Sequence, residues 1–426
     1  MICPERRARV VVTGMGAITP LALNVPDTWS ALQAGRSGVG PITRFDASEL
    51  PCRIAAEVRD FRPQDYMPLK EARRMARASQ FAVAACREAL TDARLPLPLA
   101  DPERTGVLIG SGIGGFAQAD EAMQQYRARG YRAVSPFALV SSLANMASYH
   151  VSLGIKSLGP ISTVVAACAT GTQSIGEACE WIRRGIVDVV IAGGVEETVH
   201  EGALVGFLAM RALSMRNDEP ARASRPFDAG RDGFVVGEGA ALVVLESLDH
   251  ARARGASIYA EVLGHASSSD AFHAAAPDPN GAGAVRAMRW AIQDAGIQLS
   301  EVDLINAHGS STPVNDETET RAIKTVFGEH ARRLAVNSTK SMVGHMMGAA
   351  GAIEAITCAL AIRDGIIHPT INYEEPDPAC DLDYVPNLAR QATVKVALSN
   401  SFGLGGQNAC LVLGKLEENS QDADCS

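Results

Sequence analysis

The sequence contains no apolar run that reaches the ~18 residues a bilayer span requires, so it gives no reason to expect a membrane protein. Aromatic residues are scarce, at 5%. Basic residues are in the minority. The 39 Lys and Arg against 48 Asp and Glu leave a net charge of -9, which offers nucleic acid no bulk attraction. The 9 cysteines show neither metal-ligand nor disulfide spacing. An odd number without a secretory segment reads as reduced thiols in the cytoplasm. The opening MICPERRARVVVTGMG is basic, but glycine interrupts it before any signal-like apolar segment develops.

What is present is glycine, 39 residues of it, and 47% hydrophobic residues in a chain of 426. That suits a large α/β protein with many tight strand-to-helix turns, of roughly two to three domain-sized units. Short β-branched runs end in glycine or small residues, as in RVVVTG, TGVLIGSG, ISTVVAA and DVVIAGG. Helical stretches lie between them, such as GTQSIGEACEWIRRG with Ile175, Cys179 and Ile182 on one face. The alternation predicts parallel sheets covered on both faces. A faint echo runs through the chain in constant order. ARVVVTG resembles IYAEVLG, GVLIGSGIGG resembles DLINAHGSST, IRRGIVD resembles IRDGIIH, and GAALVVLES resembles QNACLVLGK. It predicts a duplicated unit with halves 1–254 and 255–415, and a site where the halves face each other. The polar, acidic residues 416–426 are expected to form a disordered tail.

Three features carry chemistry. Cys168, in VVAACATGTQSIGEA, falls where a strand runs into a helix. The helix N-terminus favours a thiolate there, and Ala166, Ala167, Ala169 and Gly171 leave room for a substrate. A buried apolar thiol fits the same position equally well. His308 in INAHGSSTP follows a strand, facing the usual ligand crevice of an α/β sheet, and His345 in NSTKSMVGHMMGAAGAIEAI precedes a small-residue helix start. Each alone suits a structural histidine, but with Cys168 they form a constellation that packing does not require. VALSNSFGLGGQNA runs a strand into a glycine-rich turn at Phe402, able to present an oxyanion donor or to serve as an ordinary turn.

From RVVVTGMGAITP to NACLVLG, these segments resemble the 3-oxoacyl-[acyl-carrier-protein] synthases, condensing enzymes of the thiolase-like superfamily. SRPFDAGRDGFVVGEGAA and HPTINYEEPDPACDLDYVPN are similar to the type II branch. The resemblance implies an α/β, thiolase-like duplicated fold in five α-β-α-β-α layers, a homodimer, and acyl- and malonyl-loaded acyl carrier protein as partner, with no organic cofactor. It implies that Cys168 accepts the acyl chain, and that the Cys168 and Phe402 N–H groups hold the oxyanion. His308 and His345 would serve malonyl decarboxylation, with a buried Lys340–Glu354 pair orienting them. Ile113, Ser310, Thr312 and Gly403 would bind substrate, and Phe402 would gate the acyl pocket. A monovalent cation is implied near Asn306, Glu354, Ser399 and Asn400. Leu404 departs from the family's GFGG turn and puts acyl preference in doubt. Carrier protein is acidic, so Lys70, Arg73, Arg74, Arg77 and Arg211 are its expected dock.

Other readings fare less well. GSGIGG matches a dinucleotide fingerprint after a strand, but RARGYRAVSPFAL lacks the acidic residue required about 20 positions on. A non-elongating partner subunit would lack the cysteine. A thiolase would lack the Lys340 context. A polyketide ketosynthase shares the chemistry, and the motifs separate it poorly from fatty-acid elongation.

Overall fold

A computed structural model describes residues 7–417. The first part of the chain supplies β1 Val10–Ile18, β2 Thr105–Gly110, β3 Ile161–Ser162, β4 Val189–Glu196 and β5 Gly239–Ser247. The second supplies β6 Ala260–Ser269, β7 Leu304–Asn306, β8 Ala335–Asn337, β9 Val396–Gly403 and β10 Gln407–Gly414. They hydrogen-bond in the order β8-β7-β9-β10-β6-β1-β5-β4-β2-β3. Outward from the β1–β6 junction, both sides run through the same series, each strand matched by the one five numbers later. The junction is a short antiparallel contact, Val11 opposite Glu261 and Val12 opposite Ala260. The echoed segments fall on matching elements: β1 with β6, β2 with β7, and β5 with β10.

Each half is mixed, not parallel as the alternation predicted. β2 pairs in parallel with β3 and β4, and β7 with β8 and β9. The other pairs, β1–β5, β4–β5, β6–β10 and β9–β10, are antiparallel. The reason is plainest at β9–β10, a hairpin closed by Leu404, Gly405 and Gly406 with no helix to reverse the chain.

The helices complete five α-β-α-β-α layers. α1 Arg77–Asp92 and α2 Met146–Ile155 cover the first half, while α4 Ala282–Ala295 and α5 Pro313–Phe327 cover the second. α3 Thr170–Arg183 and α6 Ala350–Asp364 lie between the halves and touch both. Their burial follows from sequence. α3 turns Ile175, Cys179 and Ile182 into the central core, and α6 is apolar on nearly every side, as a helix enclosed on all faces must be. The two helices nearly touch near their N-termini. A Cβ on Gly171 would lie 2.7 Å from the Ala352 N, and one on Gly351 would lie 2.0 Å from Thr172 Oγ1. Gly171 therefore serves helix crossing and not, as expected, substrate access.

Two smaller expectations change. ISTVVAA is a strand only over Ile161–Ser162. At its end the Ser148 hydroxyl meets the Ser162 carbonyl at 2.7 Å and the Thr163 hydroxyl at 2.9 Å. Beyond it, among the described residues, only the Ser111 N–H reaches across, to the Val164 carbonyl at 3.3 Å. Of the expected tail, Leu416 packs beside Val11 and Leu248. Residues 418–426 lie outside the described residues.

Candidate active site

The nucleophile candidate sits in a tight turn, Ala167–Ala169, just ahead of α3. Ala167 adopts a left-handed conformation with φ 48°, which costs a residue bearing a Cβ about 1–2 kcal/mol. The second half repeats the device before α6: the turn Met347–Ala349 has Met347 at φ 45°. Cys168 and Gly348 are therefore counterparts. Thr170 Oγ1 steadies the first turn by accepting from the Ala166 N–H at 2.8 Å.

Cys168 is 8% exposed and packs with Phe234, Leu204 and Met347. Among the described residues no backbone acceptor takes its N–H, which is left to the Cys168 sulfur itself, and the Leu404 N–H faces the same sulfur. The end of β9 passes over that N–H, since a Cβ on Gly403 would lie 3.1 Å from it and 2.8 Å from the Ala166 carbonyl. Glycine thus leaves an open donor where a thioester oxygen can sit. Burial pushes the Cys168 thiol up to about 11, with Lys340 pulling it down. The expected thiolate is not the resting form, because desolvation outweighs the nearby cation and helix end.

The two histidines meet across this space, their ring centroids 5.4 Å apart and their planes at 77°. His345 is held by its own loop: Nδ1 accepts from the Met347 N–H at 3.1 Å. Its single proton then resides on Nε2, which is buried and has no protein partner among the described residues. His308 is fixed through its backbone, the N–H donating to Glu319 Oε1 at 2.8 Å, and its Nδ1 is likewise buried and unpaired. Burial first, then Lys340, holds both imidazoles well below their ordinary pKa, and His345 adds to the effect on His308. Both rings are neutral donors at neutral pH.

Lys340 and Glu354 lie behind them, 1% and 0% exposed, with Lys340 Nζ donating to Glu354 Oε1. Burial pushes Glu354 up to about 7 against the pull of Lys340. Glu354 Oε2, Asn306 Oδ1 and Ser399 Oγ are buried without a partner. Asn306 and Ser399 are register partners on β7 and β9. The Asn306 Nδ2 is committed to Thr339 and Thr357 at 2.9 Å each, so its oxygen is the free end. Asn400 does not share this openness: its Oδ1 accepts from Cys410 and its Nδ2 donates to Glu319.

A cavity of about 560 Å³ gathers Cys168, His308, His345, Ser310, Thr312, Phe402, Gly403, Leu404 and Arg211. Ser310 and Thr312 hydroxyls meet at 2.9 Å on its wall. Ile113 is not on this wall; it lies 37% exposed on the outer surface. Of the expected dock, Lys70, Arg73, Arg74 and Arg211 are exposed. Arg77 is not free: it pairs with Glu238 at 3.2 Å, donates to the Val58 carbonyl at 2.7 Å and stacks over Phe81.

Sequence reasoning missed two carboxylates. Glu319 holds the His308 and Gly309 N–H groups at 2.8 Å each, and burial raises it to about 7. It sits in NDETETRA, which reads as a solvated acidic helix; the only hint is that Asp316, Glu319 and Thr320 share one face. Glu196 binds four donors at the end of β4 and carried no sequence signal.

A duplicated α/β frame that brings a cavity-lining thiol and two neutral imidazoles together has the makings of an enzyme that forms a covalent thioester. The sequence profile for the "Beta-ketoacyl synthase, N-terminal domain" matches residues 7–251, and that for the "Beta-ketoacyl synthase, C-terminal domain" matches residues 259–374. The chain belongs to the beta-ketoacyl synthase family, and its fold is thiolase-like. It is 51% identical over 412 residues to the 3-oxoacyl-[acyl-carrier-protein] synthase 2 of Coxiella burnetii, covering 97% of this chain and 99% of the relative. The protein of the same name in Synechocystis is 48% identical over 411 residues, 96% of this chain and 99% of that one. Among solved structures, a type II PKS acyl-carrier protein in complex with its ketosynthase bound to the hexaketide matches with a TM-score of 0.90 at 34% identity, over 96% of this chain and 100% of that one.

Proposed function

We propose that the enzyme elongates fatty acids by joining an acyl chain held on Cys168 to the two carbons left when malonyl-acyl carrier protein loses carbon dioxide. The meeting of Cys168, His308, His345 and Gly403 on one cavity carries this reading. In the first step the Cys168 sulfur attacks the carbonyl carbon of an acyl thioester. The carbon–sulfur bond to the carrier breaks, and the thiol proton ends on the departing carrier thiol. The Cys168 N–H, together with the Leu404 N–H that faces the same sulfur in place of the expected Phe402 N–H, would receive the oxyanion. In the second step the malonyl carbon–carboxylate bond breaks, carbon dioxide leaves, and the electron pair becomes an enolate. The His345 Nε2–H and the His308 ring face that oxygen and stabilise the enolate more than the ground-state carbonyl. The enolate carbon attacks the acyl-Cys168 carbonyl. The bond from the acyl carbon to the Cys168 sulfur breaks, the 3-oxoacyl product leaves on the carrier, and the thiolate takes a proton from solvent, as its raised pKa favours.

The buried, unpaired oxygens of Asn306, Glu354 and Ser399 fit a small monovalent cation, and hard oxygen donors are the right chemistry for one. Such an ion would add a second positive charge beside Glu354. Asn400 is left out of this set.

Exposed Lys70, Arg73, Arg74 and Arg211 are read as the dock for acyl carrier protein, with Arg77 withdrawn. Arg211 also lines the cavity, which supports delivery of the pantetheine arm past Ser310 and Thr312. A second copy of the chain is read onto the free edge of β3, where Leu139, Leu158 and Val165 are 77%, 70% and 55% exposed. Ile113 belongs to that face, so its contact with the acyl chain waits on the dimer. No helix of the described residues is long and apolar enough to cross a membrane, and the free, buried cysteines support a reducing, cytoplasmic compartment.

Intact-mass analysis after mixing with acyl carrier thioesters of several lengths tests the reading. It should show one acyl adduct on the native chain and none on Cys168→Ala. An adduct that survives the substitution overturns it.

A further inference from the structure

The internal symmetry has an unequal pair at its centre. β4 and β9 are counterparts of equal length, ending at Glu196 opposite Gly239 and at Gly403 opposite Gln407. Glu196 is therefore the counterpart of Gly403, as Gly348 is of Cys168. Over Cys168 the strand end has no side chain, and the N–H beneath it is open. Over Gly348 the strand end carries a carboxylate, and the Gly348 N–H donates to its Oε2 at 3.0 Å. Three further donors converge there: the Gly112 N–H to Oε2 at 2.7 Å, and the Ser111 hydroxyl and Ile113 N–H to Oε1 at 2.8 and 3.2 Å. The carboxylate is wholly buried, and a Cβ on either Gly112 or Gly348 would strike it, at 2.8 and 2.7 Å. The space is shaped around the anion.

We propose that Glu196 fills, in one half of the duplicated fold, the oxyanion hole that the other half leaves open over Cys168, and so acts as a positioning residue for His345. The Gly348 end of its grip fixes the Met347–Ala349 turn, and the Met347 N–H sets the His345 tautomer. The other end fixes the loop bearing Ile113. One carboxylate thus ties the decarboxylation side to the subunit-facing loop, and leaves one reactive hole per chain. The inference rests on the role read for His345 above.

Glu196→Gly copies the glycine of the reactive half and leaves four donors around a void the size of propionate, which formate can enter. Formate should raise the melting temperature of this variant and leave that of the native chain unchanged, while sodium chloride and methanol do neither. Malonyl decarboxylation should drop roughly tenfold or more, as when one fixed donor is misplaced, with Cys168 acylation retained. Formate should restore part of the loss. Normal decarboxylation, or formate acting alike on variant and native chain, overturns the inference. If the glycine variant does not fold, Glu196→Gln decides. It keeps the volume but turns an NH₂ toward the donors, and wild-type decarboxylation in it overturns the inference. Loss of Cys168 acylation in the native chain would instead remove the functional reading, and the formate-dependent melting stands apart from it.

Discussion

Lys340 donates to Glu354 inside the protein, their side chains 1% and 0% exposed. Removing one partner of such a pair strands the other. Lys340→Met should therefore cost about 3–5 kcal/mol, and the double variant with Glu354→Gln should recover much of it. The deficit should also depend on pH. Glu354 already titrates near 7, above its ordinary 4.5, and the loss of Lys340 raises it further. A group raised in the folded state contributes stability that is complete below the unfolded value and is lost as pH rises through the folded one. Urea unfolding of Lys340→Met should show a larger deficit at pH 8 than at pH 5; an equal deficit would deny the coupling.

The raised Cys168 thiol makes a separate prediction. Alkylation by iodoacetamide, followed by intact mass, should climb about tenfold per pH unit from 7 to 10, because the thiolate fraction does. A plateau near 8.5 would mean the sulfur sits in water. Lys340→Met should slow the reaction at every pH in that range, since Lys340 is the main influence lowering this thiol.

Much of the fold and site is legible in the sequence, and the division follows physical range. The echo of RVVVTG in IYAEVLG marks β1 and β6, because both strands favour β-branched residues, although each runs on past its echoed glycine to Ile18 and Ser269. Cys168, His308 and His345 stand out only together: each alone suits packing, but three such residues in matching strand-end or helix-start contexts form a constellation that packing does not need. Arg77 misled because its partner Glu238 is 161 residues away, and nothing local distinguishes a buried guanidinium from a solvated one. Glu196 and Glu319 were invisible because they bind mainly backbone N–H groups, which every residue but proline offers and no sequence pattern records.

Neutral imidazoles predict a pH profile without a histidine step. Because both histidines titrate well below 6.5, malonyl decarboxylation should show no histidine inflection between pH 6 and 8, and an inflection near 7 that persists in His345→Ala belongs to Glu354 or Glu319. His345→Ala should lower decarboxylation about 10²–10³-fold and leave acylation intact, as expected for loss of one preorganised donor. An inflection at 6.5 that disappears in the variant would mean that the ring works as a cation.

The unpaired oxygens of Asn306, Glu354 and Ser399 predict a dependence on small cations. Transfer from potassium to choline buffer at equal ionic strength should lower the melting temperature of the native chain, because an ion bound only to the folded state stabilises it by mass action. Asn306→Leu should show no difference between the two buffers. A native chain indifferent to the exchange would leave those oxygens to water.

The dock separates into free and committed cations. Arg73 and Arg74 are exposed, and Arg74 lies over the Phe137 ring at 4.8 Å, without an acidic partner among the described residues. Reversing both to Glu should raise the KM for carrier protein about tenfold or more, leave kcat and the melting temperature nearly unchanged, and flatten the salt dependence of KM, since rim charges act mainly on encounter. Arg77→Glu should behave oppositely. It sets a like charge against Glu238, whose side chain is fully buried, so it should lower the melting temperature with little specific effect on KM. Equal effects of the two changes on carrier KM would return Arg77 to the docking surface and refute the division.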